Sequence, residues 1–244
     1  MNTRRLIQWE IAIVLAITFG ASAVRSILTL TEVLLSGALA AQPLALNASY
    51  SDNPLFDVLF HTIRILTLLS WGGLVWLLLA KDGVRGVPGR LKWPDLGWGA
   101  GLAALIGIPG LGLYIVGVLL GFGRPIDPAA MGVTLGTALP LLGWAAANAF
   151  AEEMVVVGWL VVRLKQLGWS PLAIIAASSL LRGGYHLYQG IGGGIGNLVM
   201  GVIFTWFYLR TGRLWPLIAA HFLIDAVAFL GYPLVEPLLN SLFG

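Results

Sequence analysis

Long apolar runs recur along this chain, and they limit how it can fold more than any other feature. About 20 apolar residues cross the hydrocarbon core of a bilayer, and a helix satisfies the backbone hydrogen bonds there. We therefore predict an all-α, polytopic transmembrane helical bundle with about seven membrane helices, forming a single domain over residues 1–244. The predicted spans are 8–39, 58–80, 97–121, 133–162, 171–188, 194–210 and 214–232.

The composition agrees with a fold whose solvent is mostly lipid. Hydrophobic residues make up 58% of the chain and charged residues only 10%, which a soluble domain could hardly sustain because it must cover itself with polar surface. The chain has no cysteine, which excludes disulfides, thiolate metal sites and a cysteine nucleophile. Within the first span, Arg25 and Glu32 interrupt the apolar run, so we expect a long or bent helix.

The basic residues indicate orientation and not nucleic-acid binding. Most of the 14 lysines and arginines lie near the ends of apolar runs. If the chain alternates, one side of the membrane receives Lys81, Arg85, Arg90, Lys92, Arg163, Lys165, Arg210 and Arg213. The positive-inside rule then predicts a multi-pass protein of the cell membrane with a cytoplasmic N-terminus. We expect the lipid bilayer and no nucleic acid as a partner; the sequence leaves the oligomeric state open.

Three acids lie where acids are costly. Between Asp127 and Glu236 the chain contains only Glu152, Glu153 and Asp225, all within predicted membrane helices. An ionisable group in that position costs on the order of 3 kcal/mol unless it is paired or hydrated. These carboxylates therefore indicate a functional site in the second half of the chain.

Polar neighbours at a spacing of four strengthen that interpretation. The pairs are Asn148 with Glu152, Arg182 with His186, and His221 with Asp225. This spacing places each pair on one face of its helix. Such a set suits hydrolysis, in which one group takes a proton from water and fixed donors stabilise an oxyanion. It equally suits a proton relay, so the residues alone leave both functions open.

Three segments carry a resemblance to a known family. Residues 151–158 (AEEMVVVG), 180–190 (LLRGGYHLYQG) and 214–225 (LWPLIAAHFLID) resemble the signature motifs of the CAAX prenyl endopeptidase and bacteriocin-processing (CPBP) family, in order and in spacing. The motif-bearing core covers about residues 133–232. The resemblance implies an intramembrane glutamic endopeptidase acting on a membrane-associated peptide or protein, with or without a prenyl group, and using neither metal nor cofactor.

The resemblance also implies roles for individual residues. Glu152 would activate water, with Glu153 in support and His186 assisting water activation or proton transfer. His221 would donate to the oxyanion and Asp225 would support it. Further candidates for substrate contact or charge support are Arg182, Asn148, Asn197 and Tyr185. The alternative function is a non-catalytic membrane scaffold or a proton-coupled transporter with the same buried polar network.

The motifs depart from the family pattern at two positions. Val157 stands where the family commonly has an arginine, and Arg182 stands where it commonly has a phenylalanine. We interpret this as an exchange in which the guanidinium has moved to the next helix and still neutralises a glutamate, because an always-charged fork suits a buried carboxylate.

The predicted spans also determine where His186 and His61 lie. Straight crossings place His186 towards the opposite face from Glu152, so a shared site requires the fifth helix to be displaced or its boundaries to differ from the prediction by a turn or more. The third histidine, His61, lies with Arg64 on an earlier helix, where we expect a structural or interfacial role.

Overall fold

The fold is known from a computed structural model that describes residues 2–37, 39, 43–45, 49–126 and 135–243, without the side chains of 135–137 and 232–243. Within these ranges the chain is helical and forms no β-strand. The helices are α1 (Thr3–Ile17), α2 (Phe19–Ser36), α3 (Pro54–Lys81), α4 (Trp93–Leu119), α5 (Leu135–Glu152), α6 (Leu160–Gln166), α7 (Pro171–Tyr185), α8 (Ile191–Thr211) and α9 (Trp215–Phe243).

The all-α membrane bundle is confirmed. Five described segments are long and apolar enough to cross a bilayer, and Trp215–Gly231 at the start of α9 is a shorter apolar helix. The five are Phe19–Ser36, Pro54–Lys81, Trp93–Leu119, Ala138–Gln166 and Ile191–Thr211. The predicted number of seven crossings is thus approximate.

The first predicted span consists of two helices. The backbone leaves the helical region at Thr18, with φ −124° and ψ −128°, and α2 begins at the next residue. The Thr18 hydroxyl donates to the carbonyl of Val14 at 2.7 Å, which secures the bend. The expectation of a bend was correct, but its assignment to Arg25 and Glu32 was wrong, since both lie within α2.

The fourth crossing is the centre of the bundle. Helix α5 continues through a π-helical segment, Glu153–Trp159, directly into α6, so this crossing extends to Gln166. The predicted start at residue 133 lies outside the described residues. All seven residues of the π-helical segment are buried, because α3, α7 and α8 pack around it. The residues of this segment are therefore held in place by several neighbouring helices.

The fifth crossing is shorter than predicted. Helix α7 ends at Tyr185 and not at 188, and a 3₁₀ turn, Leu187–Gln189, leads into α8. Glu152 lies 14 residues before the end of α6 and His186 lies 15 residues after the start of α7. At about 1.5 Å per residue, both are roughly 21–23 Å from the turn that joins the two helices. The short helix therefore brings His186 to the depth of Glu152.

Helices α7 and α8 approach each other closely through small residues. A Cβ atom added to Gly201 would lie 2.8 Å from the Cα of Ser179, and one added to Gly183 would lie 2.9 Å from the carbonyl oxygen of Gly194. Small residues allow helix backbones to come together where lipid gives no hydrophobic drive for association. This contact fixes the position of α7, the helix that ends at His186.

One end of the bundle collects the predicted basic loops. Arg163 is fully buried there and pairs with Glu10 of α1 at 2.7 Å and with Asp82 after α3 at 2.8 Å. Arg213 pairs with Asp95 at the start of α4. These ion pairs tie the loop ends together and agree with the expectation that the basic connections lie on one side.

We predict that Gly201→Ala lowers the thermal stability of the purified protein in detergent. The new methyl group must push α7 away from α8, and overpacking of this kind typically costs about 1–3 kcal/mol. The matched control is Gly97→Ala, because a Cβ at Gly97 meets nothing within 4 Å and alanine favours a helix. Equal melting temperatures for the two variants would contradict the proposed close contact.

Candidate active site

The three buried acids and their polar neighbours meet in one cluster, at the middle depth of the central crossing. Glu152 is the last residue of α5 and Glu153 the first of the π-helical segment. The other members come from α7 and the residue after it, and from α9: Arg182, Tyr185, His186, His221 and Asp225. Glu153 and Arg182 are completely inaccessible to solvent, so their charges must be satisfied within the protein.

One oxygen of Glu153 accepts two basic groups. Arg182 donates through Nη2 to Glu153 Oε1 at 2.5 Å, and His221 Nδ1 lies 2.7 Å from the same oxygen. Charge-assisted hydrogen bonds of this length are among the strongest in proteins. Glu153 is thus the acid whose charge is most fully compensated, and its position is fixed from two neighbouring helices.

Glu152 is held differently. Tyr185 donates its hydroxyl proton to Glu152 Oε2 at 2.5 Å, while Arg182 Nη1 lies 3.5 Å and His221 Nε2 4.0 Å from that oxygen. The short hydrogen bond to Glu152 therefore comes from a neutral group, and the two basic groups are more distant. All of these contacts are made to Oε2, and within the part of the chain that the structure describes no polar group binds Oε1.

Asp225 forms the edge of the cluster. Asn148 donates to Asp225 Oδ2 at 3.0 Å, and His221 Nε2 lies 3.5 Å from the same oxygen. The side chain of Asp225 is 17% exposed, compared with 4% for Glu152. Asp225 is therefore the acid of this group that is nearest to the outside of the bundle.

Among the described residues, one ring nitrogen of His186 has a hydrogen-bond partner and the other has none. Its Nδ1 lies 3.0 Å from the carbonyl oxygen of Arg182, and because a carbonyl only accepts, Nδ1 carries the hydrogen. The ring packs against Tyr185 with 4.6 Å between ring centroids, next to the hydroxyl that holds Glu152. The remaining nitrogen, Nε2, is then an acceptor in the neutral ring.

The π-helical segment is supported from α7. Ser178 donates its hydroxyl to the carbonyl of Val156 at 2.9 Å, and Thr205 of α8 donates to Ser178 at 2.9 Å. A π-helical turn alters the regular pairing of backbone carbonyls, so such a side-chain donor stabilises it. No local sequence pattern reveals this supporting role of Ser178, because its partner Val156 lies in another helix.

Arg182 occupies the place that the exchange hypothesis requires. Its guanidinium lies against both glutamates, at 2.5 Å from Glu153 and 3.5 Å from Glu152. Val157, at the usual arginine position, is fully buried in the hydrophobic core. The guanidinium of α7 thus pairs with the glutamates in this structure; that it replaces the arginine of the family motif stays a prediction.

The structure does not bring Asn197 into the cluster. Its side-chain nitrogen donates to the carbonyl of Gly193, one turn earlier in the same helix, at 3.0 Å. Among the described residues this is the single hydrogen bond of that side chain, so Asn197 contributes to α8 itself. The other predicted site residues lie in the cluster.

The cluster includes a donor set that a metal ion could use. Glu152, Glu153 and His221 offer ligand atoms that all lie within 4.8 Å of one another. The guanidinium of Arg182 already lies against both carboxylates, and a divalent cation placed there would meet its positive charge at close range. The charge arrangement thus fits a site whose acids are balanced by protein groups.

The comparison with protein families agrees with this geometry. The family model described as Rce1-like, type II CAAX prenyl endopeptidase, matches residues 134–227. Residues 134–227 form an Rce1-like domain. The matched residues contain every member of the cluster, from Asn148 to Asp225. A search of curated proteins and a search of solved structures found no match.

We predict that Arg182→Leu destabilises the Rce1-like domain. Removal of one partner from a buried ion pair leaves the other charge unpaired and typically costs about 3–5 kcal/mol. The measurement is unfolding of the purified protein in lipid or detergent. The matched control is Arg210→Leu, since Arg210 is an exposed arginine at the end of α8.

A second substitution tests the exchange directly. Val157→Arg restores the family's arginine four residues after Glu153 and should recover stability in the Arg182→Leu background, while in the otherwise unchanged protein it should destabilise by placing a second cation in the core. If Arg182→Leu is as stable as Arg210→Leu, Arg182 is not the required counter-charge.

Proposed function

We propose that this chain is a metal-independent glutamic endopeptidase, which hydrolyses a peptide bond of a membrane-associated protein or peptide with water activated by Glu152. The observation that carries this proposal is the unequal treatment of two adjacent carboxylates. Two basic groups, Arg182 and His221, lie 2.5 Å and 2.7 Å from one oxygen of Glu153. The short hydrogen bond of Glu152 comes from the neutral hydroxyl of Tyr185, and the same basic groups lie 3.5 Å and 4.0 Å from it. Glu153 thus has a structural role, and Glu152 acts as the general base.

The proposed reaction begins with proton transfer to Glu152. Oε1 of Glu152 takes a proton from water as the water oxygen forms a bond to the scissile carbonyl carbon. Tyr185 holds Oε2 in place, and a fixed base within hydrogen-bond reach contributes about 10²–10⁴ in rate. The neutral Nε2 of His186 is an acceptor that can orient the same water.

The negative charge that develops on the carbonyl oxygen is then stabilised by a hydrogen-bond donor. His221 is bound through Nδ1 to Glu153, so a hydrogen on Nε2 is aimed at the space between Glu152 and Asp225, at 4.0 Å and 3.5 Å from their oxygens. A preorganised donor of this kind in a water-poor site stabilises the developing oxyanion. Asp225 and Asn148 keep the imidazole in that orientation.

Collapse of the tetrahedral intermediate completes the reaction. The carbon–nitrogen bond breaks, and the proton held by Glu152 passes to the leaving amine, directly or through His186. The products are a carboxylic acid and an amine, which become a carboxylate and an ammonium group by proton transfer between them, and Glu152 returns to its ionised form. No metal enters these steps, because Arg182 and His221 supply the positive charge next to the acids.

We predict that Glu152→Gln abolishes cleavage, lowering the rate by about 10²–10⁴ or more, the usual contribution of a general base. The assay offers the purified protein in lipid a mixed library of farnesylated and unmodified peptides, with and without a chelator. The matched control is Glu32→Gln, which removes an exposed glutamate of α2. Activity that survives in Glu152→Gln would refute the proposed base, and loss with chelator would indicate a metal enzyme.

A folded wild-type protein that cleaves nothing in this library would instead favour the scaffold or the proton-coupled transporter. The farnesylated and unmodified arms show which substrate class is used.

We also propose that the basic end of the bundle faces the cytoplasm. Arg163, Arg213 and their acidic partners gather the connecting loops at that end, and the positive-inside rule assigns it to the cytoplasmic side. The N-terminus of α1 lies at the same end, since Glu10 pairs with Arg163.

Single cysteines can test the orientation because the chain has none of its own. Asp52→Cys and Arg85→Cys place thiols at exposed positions before and after α3. We predict that a membrane-impermeant maleimide labels Asp52→Cys in intact cells and labels Arg85→Cys only after permeabilisation. The reverse pattern would invert the proposed topology.

A further inference from the structure

Arg25 is an unpaired cation in a membrane helix. It lies within α2 and is exposed, and α2 is one of the segments long and apolar enough to cross a bilayer. Among the residues that the structure describes, the arginines that form ion pairs are Arg163, Arg182 and Arg213. An unpaired charge in a membrane segment is costly and indicates a function by default. We therefore looked for a partner of Arg25 outside the chain.

The depth of Arg25 follows from its neighbour Ser26. The Ser26 hydroxyl accepts a hydrogen bond from the backbone nitrogen of Tyr188 at 2.5 Å, and Tyr188 lies in the 3₁₀ turn before α8. The 21 residues of α8 span about 31 Å, which is the thickness of a hydrocarbon core. The turn therefore marks one surface of the membrane, and Arg25 lies at the level of the lipid headgroups.

A shallow groove of about 510 Å³ runs from Arg25 along the exposed side of the bend between α1 and α2. Its lining is apolar apart from Arg25 and includes Leu15, Gly20, Ala21 and Val24. A Cβ atom added to Gly20 would lie 2.5 Å from the carbonyl oxygen of Leu15, so the bend excludes a larger residue at this point. We call this feature the bend groove.

The length of the bend groove matches one leaflet of a bilayer. Arg25 and Leu15, at its two ends, are ten residues apart, or about 15 Å at 1.5 Å per residue. Half of a hydrocarbon core of about 30 Å has the same length. An acyl chain that leaves the headgroup level at Arg25 would therefore follow the groove to the centre of the bilayer.

We propose that the bend groove binds one phospholipid molecule, with its phosphate at the Arg25 guanidinium and one acyl chain across Gly20 and Ala21. The guanidinium presents its donors in a planar fork that fits phosphate oxygens, and the apolar lining suits a hydrocarbon chain. This inference does not depend on the proposed peptidase function, since no step of hydrolysis enters it.

The proposed lipid site and the active site lie on opposite sides of the same bend. Phe19, the first residue of α2, points inwards, and its ring centroid lies 4.9 Å from that of Tyr185. Tyr185 in turn binds Glu152. A phospholipid that stabilises the bend from outside would therefore also support the ring that packs against Tyr185.

Binding of phosphatidylglycerol to the purified protein in detergent tests the inference. Native mass spectrometry counts the lipid molecules retained by each protein molecule, and thermal unfolding measures the stabilisation. We expect one retained phosphatidylglycerol and a higher melting temperature. Glycerol phosphate lacks the chains and diacylglycerol lacks the phosphate, so each should bind at least about tenfold more weakly.

Two variants address the two halves of the site. Arg25→Gln removes the partner of the phosphate, and Ala21→Phe fills the groove; both residues are exposed, so the fold should be kept. Each variant should weaken phosphatidylglycerol binding about tenfold or more, and Arg25→Lys should retain part of it.

The matched controls are Arg90→Gln and Ala100→Phe, which change an exposed arginine and an exposed alanine outside the groove. Both should bind phosphatidylglycerol as the wild-type protein does. If Arg25→Gln or Ala21→Phe retains as much lipid as its control, or if diacylglycerol binds as tightly as phosphatidylglycerol, the inference is wrong. Arg25 would then meet only the general lipid layer around the protein.

Discussion

The ion pair between Arg182 and Glu153 is the interaction on which this site depends. Both side chains are completely buried, and a buried charge without its partner is more costly than any packing contact nearby can offset. Because Arg182 belongs to α7 and Glu153 to the central crossing, the pair also fixes how these two helices meet. Electrostatics and helix packing are therefore satisfied by the same contact.

Two local features make that contact possible. The π-helical segment begins at Glu153, next to the site, and Ser178 supports it from α7. Helix α7 then ends at Tyr185, so that the chain turns at mid-depth and leaves His186 beside the tyrosine that binds Glu152. Irregular backbone inside a membrane is tolerated where protein groups satisfy it, and here those groups belong to neighbouring helices.

The sequence was sufficient for the membrane fold, because apolar runs of this length have few alternatives. It also singled out the acids and their polar neighbours, since polar residues stand out against an apolar background, but it did not predict that Asn148 binds Asp225 or that Tyr185 binds Glu152. It could not determine the end of α7, because nothing in the apolar pattern of 171–188 separates a full crossing from a partial one. The bend at Thr18 and the use of Asn197 within its own helix were likewise hidden, since both depend on hydrogen bonds to backbone carbonyls. Hydrogen bonds from side chains to backbone carbonyls do not alter the hydropathy pattern of the sequence.

Two membrane arginines show how burial decides what a charge does. Arg182 is fully buried, and its Nη1 and Nη2 atoms lie against the carboxylates of Glu152 and Glu153. Its charge therefore stabilises the cluster. Arg25 is exposed at the end of the bend groove, so its donors can still be used by a molecule that arrives from outside.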